Sequence, residues 1–142
     1  MNDTIRLLRE CNAGLKMGEN AIERILPHVK DEGMRMALEE CKDVHADLGD
    51  KTHKLLLRSG SDTKPPHRIA SAMSDMKIRM MMLLDESDKT IADLMTDGCN
   101  MGVKSLSKYL NQYKAADPAS KSIARELIST EDILCAQMRS YL

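Results

Sequence analysis

The stretch Gly14-Leu-Lys-Met-Gly18-Glu-Asn-Ala-Ile-Glu-Arg-Ile-Leu26 recurs without a gap as Gly98-Cys-Asn-Met-Gly102-Val-Lys-Ser-Leu-Ser-Lys-Tyr-Leu110, at a constant offset of 84 residues. The same offset pairs Leu7 with Ile91 and Lys30 with Lys114, and sets Asp3, read as a helix N-cap, opposite Ser87. The first copy lies on a helical face formed by Ile5, Leu8, Asn12, Leu15, Gly18, Ile22, Ile25 and Val29, spaced alternately by three and four. A glycine inside a helix costs about 1 kcal/mol relative to alanine, so two pairs at a spacing of four predict close helix-to-helix approach at both. The recurrence predicts a duplicated helical unit.

Outward from the first copy, Pro27 marks a kink or the approach of the helix end. A second helix follows through Met34, Leu38, Cys41, His45, Leu48, Thr52 and Leu55, closing at Ser59-Gly60 with a left-handed glycine cap. Residues 61–66 read as a loop, and a shorter connector helix spans about Arg68 to Leu84. The Asp85-Glu86-Ser87-Asp88 cluster supplies caps for the second glycine-bearing helix. Asp117-Pro118 opens the last helix, which carries Ile123, Leu127, Glu131, Leu134, Met138 and Tyr141. Its seam matches the second helix at an offset of 86, pairing Cys41 with Leu127, Leu48 with Leu134 and His45 with Glu131. One all-α domain over 1–142 is expected: hairpin 1 at about 3–59, a connector at about 60–86 and hairpin 2 at about 87–142.

Composition narrows what such a domain can do. The chain has 142 residues, 12 Met, no Phe, no Trp and three Tyr, so its core must be aliphatic and thioether-based. With 30% charged residues, a net charge of −1, no single-sign blocks and almost no aromatic stacking platforms, nucleic-acid binding is not expected. The longest apolar run, Met80 to Leu84, is five residues, far below the ~20 that cross a bilayer, so no membrane span is expected. The charged start Met1-Asn-Asp-Thr-Ile-Arg-Leu-Leu-Arg-Glu10 does not read as an export signal. Cys11, Cys41, Cys99 and Cys135 are scattered without a C-x-x-C pair, which suits reduced, buried thiols in a cytoplasmic protein.

Two helical hairpins joined by one long crossover is the ferritin-like topology, and with its duplicated Gly-x-x-Met-Gly motif the chain resembles the ferritin-like superfamily. Within it the chain is similar to small bacterial ferritin-like proteins of unassigned function that lack a complete di-iron motif. The resemblance implies a ferritin-like four-helix bundle of two duplicated hairpins, with the shorter fifth helix in the crossover. It also raises iron or another transition metal as a cofactor, because ferritin-like di-iron centres use Glu-x-x-His on two helices and a Glu on each of the others. This chain has no Glu-x-x-His. The residual candidates are Glu19, His45, Glu131 and Cys41; the residues three before His45 and Glu131 are Lys42 and Ile128, and the repeat partner of Glu19 is Val103. The preferred reading is a buried His45–Glu131 pair that fixes helix register, with no cofactor.

Met73, Met76 and Met80 share one face of the connector helix beside Met81 and Met82, a stripe that could serve a soft metal such as Cu(I) but reads better as packing or an interface. A connector helix outside a complete bundle cannot bury methionine on several faces, so these five form the expected surface for a homodimer or a protein partner. His28, His53 and His67 read as solvated. The functional expectation is a non-enzymatic helical module that self-associates or binds a partner; the alternative is a metal-binding protein or related oxidoreductase.

Overall fold

The computed structural model describes residues 2–61 and 77–142. These form helices α1 (Asp3–Ile25), α2 (Glu32–Arg58), α3 (residues 77–84), α4 (Asp88–Gln112) and α5 (Pro118–Met138), with short 3-10 turns at Leu26–His28 and Arg139–Tyr141 and no strand among the described residues. The helix ends follow local chemistry. Ser87 and Asp117 cap α4 and α5 by accepting the Thr90 and Ser120 N–H groups. Asp31 caps α2 in the same way through Met34, and Pro27 sits in the 3-10 turn that ends α1. At the other end of α2, Gly60 takes a φ of 71°, and the Ser61 N–H reaches back to the Leu56 carbonyl at 2.9 Å, closing a Schellman motif.

The start of α1 differs from expectation by one residue. Asn2, not Asp3, is the N-cap, its side-chain oxygen accepting the Ile5 N–H at 2.9 Å. Asp3 is thereby freed to accept the Ala115 N–H at 3.0 Å, tying the start of α1 to the loop before α5. The two caps, Asn2 and Ser87, are therefore out of step with the 84-residue offset by one position.

α1 packs along α2, and α4 along α5, each pair antiparallel because its connection is short. The hairpins meet through α2 against α5 and α1 against α4, with α1 also reaching α5 across the bundle. At one end the Asp88 carboxylate accepts the backbone N–H groups of Lys30 and Asp31, both at 2.9 Å, while His28 and Glu86 hydrogen-bond at 2.6 Å. That bond places His28, its side chain still 38% exposed, at a helix-end junction. At the opposite end Thr4 accepts the Asp117 N–H at 2.9 Å. α1 and α4 are thus antiparallel, and the C-terminus of α2 and the N-terminus of α4 lie at opposite ends of the bundle. Those two ends are separated by the length of α2, whose 27 residues rise about 40 Å.

The core divides into two apolar clusters. One gathers Ile22, Ile25, Met34, Leu38, Cys41, Ile91, Cys99, Leu134, Cys135 and Met138; the other gathers Leu7, Cys11, Leu15, Leu48, Leu106, Ile123 and Leu127. Along each helix one inward position lies between the buried residues of the two clusters: Gly18 between Leu15 and Ile22, His45 between Cys41 and Leu48, Gly102 between Cys99 and Leu106, and Glu131 between Leu127 and Leu134. This layer of two glycines and two polar side chains is the waist of the bundle.

α3 packs on the first cluster through buried Ile78 and partly buried Met81 and Met82, so these two methionines do have internal partners. The helical twist that turns them inward leaves Met80, Leu83 and Leu84 outward, at 59%, 88% and 79% exposure. Met73, Met76 and His67 lie outside the described residues. No helix among the described residues is long and apolar enough to cross a membrane.

Candidate functional site

Each helix of the bundle contributes one residue to the waist: Gly18 from α1, His45 from α2, Gly102 from α4 and Glu131 from α5. His45 is 1% exposed. Its Nε2–H donates to Glu131 Oε1 at 2.9 Å, and its Nδ1–H donates to the Cys41 carbonyl, one turn back in α2, at 2.8 Å. A carbonyl and a carboxylate only accept hydrogen bonds, so facing both the ring carries a proton on each nitrogen, in line with the raised pKa that follows from its surroundings. His45 is an imidazolium paired with a carboxylate. Burial by itself pushes such a cation toward its neutral form; the hydrogen bonds to Cys41 and Glu131, with the charge of Glu131, outweigh it and raise the pKa to about 10.

The glycines make room for this pair unequally. A Cβ at Gly18 would lie 2.6 Å from His45 Nε2 and 2.8 Å from Cδ2, distances that real Cβ atoms do not show. A Cβ at Gly102 would meet Glu131 at 3.7 Å or beyond, which is ordinary contact. Gly14 and Gly98 have nothing within 4 Å. The glycine spacing therefore does not reflect close approach at both members of each pair: the requirement is concentrated at Gly18, because only there does the Nε2–Cδ2 edge of a ring press against the helix.

The Cys41 sulfur lies 3.6 Å from His45 Nδ1, sharing with the Cys41 carbonyl the proton on that nitrogen. Cys41 also lines a groove between α2 and α5 of about 100 Å³, with Ala37, Glu40, Val44, Thr130, Ile133, Leu134 and Gln137. The other cysteines differ. Burial, reinforced by Glu10, pushes the Cys11 thiol up to about 12, and burial with the charge of Glu131 pushes Cys99 further still, so both stay protonated. Cys135 is buried beside Asn100, and all four cysteines are free thiols.

The arrangement is a poor frame for a metal. Nδ1 and Nε2 leave the ring on opposite edges, so Cys41 and Glu131 cannot bind one ion together with His45. An ion on Nε2 would have to displace the proton shared with Glu131 from a position already crowded by the Gly18 backbone. Glu19 does not converge on the pair; its Oε1 lies alongside Gly49, a turn further along α2. Among the described residues no three His, Cys, Asp or Glu side chains group as a ligand set. Sequence reasoning placed His45 and Glu131 at matching seam positions, but it missed the seat at Gly18, the thiol at Cys99 beside Glu131 and the groove over Cys41. The first was accessible in principle: at the two offsets, Gly18 and His45 correspond to Gly102 and Glu131. Comparison of the chain with models of known protein families, with curated proteins and with solved structures finds no match.

Proposed function

We propose that this chain is a ferritin-like helical module, without an enzymatic centre in its interior, that associates with a second copy of itself through the outer face of α3. The ferritin-like part is supported by the chain path: two antiparallel hairpins, the second entered from the end opposite to where the first was left. The recurrence at 84 and 86 residues, with Gly18 seating His45 and Gly102 beside Glu131, supports an origin in a duplicated hairpin.

The observation that carries the association is the row Met80, Leu83 and Leu84, the last two more exposed than any other large apolar residue described. Arg79 precedes this row and Asp85 follows it, both exposed. Two copies laid antiparallel about a twofold axis would cover the apolar row and set Arg79 of each near Asp85 of the other, the self-complementarity that a symmetric dimer requires. Sedimentation velocity across a concentration series tests this. A dimer is expected for the wild-type chain, and a monomer of unchanged helicity for a Met80→Glu, Leu83→Glu variant. A wild-type chain that stays monomeric at high concentration overturns the reading.

A further inference from the structure

Independently of how the module associates, we propose that Cys41 is a built modification site, a thiol oxidised to the sulfenic acid by small uncharged hydroperoxides that enter the groove between α2 and α5. Three features converge on this residue. The first is the line Cys41–His45–Glu131, in which the carboxylate holds the ring at 2.9 Å and the ring presents an N–H toward the sulfur at 3.6 Å. A sulfur within hydrogen-bond reach of an imidazole N–H, with the imidazole fixed by a third group, is the general arrangement of a positioned sulfur nucleophile. The second is access through the groove, of whose wall Cys41 forms part; the four cysteines differ little in exposure, from 0% at Cys11, inside the second cluster, to 5% at Cys41. The third is selectivity by size and charge. A space of about 100 Å³ holds a molecule of a few heavy atoms. Glu40, Thr130 and Gln137 give its wall polar groups, and the carboxylate of Glu40 disfavours anions.

In the reaction a sulfur lone pair attacks one oxygen of the peroxide. The S–O bond forms at the terminal O–H oxygen as the O–O bond breaks, and the departing hydroxide, or alkoxide from an organic hydroperoxide, takes up the proton released by the thiol to leave as water or an alcohol. Cys41 loses two electrons, and the peroxide gains them.

The test treats the folded full-length chain with hydrogen peroxide, quenches it into denaturant containing a sulfenic-acid-trapping 1,3-diketone, and quantifies each cysteine peptide by mass spectrometry. Cys11 serves as an internal clock for unfolding, since it can react only when the second cluster opens. Cys41 is expected to be trapped about tenfold faster than Cys11 or more, with the preference lost in denaturant. His45→Gln should erase the preference for Cys41 over Cys11 under native conditions, the Cys11 rate correcting for the faster opening of the destabilised variant. Should His45→Gln fail to fold, Ile133→Trp, an exposed substitution on the groove wall, should slow Cys41 alone. Equal rates at the four cysteines, or a Cys41 rate indifferent to both variants, would overturn the proposal.

Discussion

Alanine substitution at the four repeat glycines separates the reasoning about the waist from ordinary helix propensity. At Gly14 and Gly98 a methyl group meets nothing within 4 Å, so the change should stabilise the fold by about 0.5–1 kcal/mol through helix propensity alone. At Gly102 the contacts begin at 3.7 Å, and most of that gain should survive. Gly18 reverses the sign. The new Cβ, 2.6 Å from Nε2, forces the His45 ring off its hydrogen bond to Glu131, and a ring held at both nitrogens has no free rotamer to escape into. Breaking a buried ion pair costs roughly 3–5 kcal/mol. The Glu131 side chain is 14% exposed and can recruit water, which favours the lower end of that range. After the propensity gain, Gly18→Ala should destabilise by roughly 2 kcal/mol.

The spread between Gly18→Ala and the other three is therefore about 3 kcal/mol, on the order of 10 °C in Tm for a chain of this size. Chemical and thermal unfolding followed by circular dichroism measures it. The same substitution in a His45→Ala background isolates the cause, because without the ring Gly18→Ala should become neutral or stabilising. If Gly18→Ala instead stabilises the wild-type chain as Gly14→Ala does, the ring does not occupy the seat described, and the argument for the waist fails.

Two further outcomes follow from the pair. Because the His45 pKa is raised in the folded chain to about 10 from an ordinary 6.5, its contribution to stability should be complete below about pH 6.5 and disappear as pH rises through about 10. Denaturant unfolding at pH 6, 8 and 10 should show this decline in wild type but not in His45→Gln, and an NMR titration placing the His45 pKa at or below 6.5 would contradict it. Replacing both partners, His45→Leu with Glu131→Leu, should cost far less than either single change and leave stability near wild type, since no charge is then stranded in the interior; chemical denaturation of the three variants forms the required cycle.

Much of the helical architecture was legible because its signals are local. Asp117-Pro118, Ser59-Gly60 and Ser87 each act through their own backbone, so their roles could be read from neighbouring residues alone. The start of α1 escaped because Asn2 and Asp3 are both competent caps, and what decides between them is the Ala115 N–H, 112 residues away, which engages Asp3. The glycine pairs were half-read for the same reason: spacing reveals that a face is small, but whether a ring or open space lies opposite depends on the partner helix. On α3, the methionine row could be counted in sequence, yet only the packing of Ile78 against the first cluster determines that Met81 and Met82 turn inward while Leu83 and Leu84 turn out.

The composition explains why a polar layer is useful in this bundle. Phe and Trp have rigid, bulky shapes that fit a helix interface in few registers, and this chain has neither. Leu, Ile and above all Met adapt to many registers at nearly equal energy, so an aliphatic core of four long helices resists unfolding better than it resists sliding. The His45–Glu131 pair breaks that degeneracy. A shift of one helical turn between α2 and α5 would bury an unpaired imidazolium against Leu127 or Leu134 and strand the carboxylate, and a shift of α1 would bring a side chain other than glycine against the ring. The penalty falls on wrong alignments instead of adding net stability to the right one, which is the role best attested for isolated buried polar groups in helical assemblies. A waist between two apolar clusters is where such a device works best, because every slipped register then places a charge inside one cluster or the other.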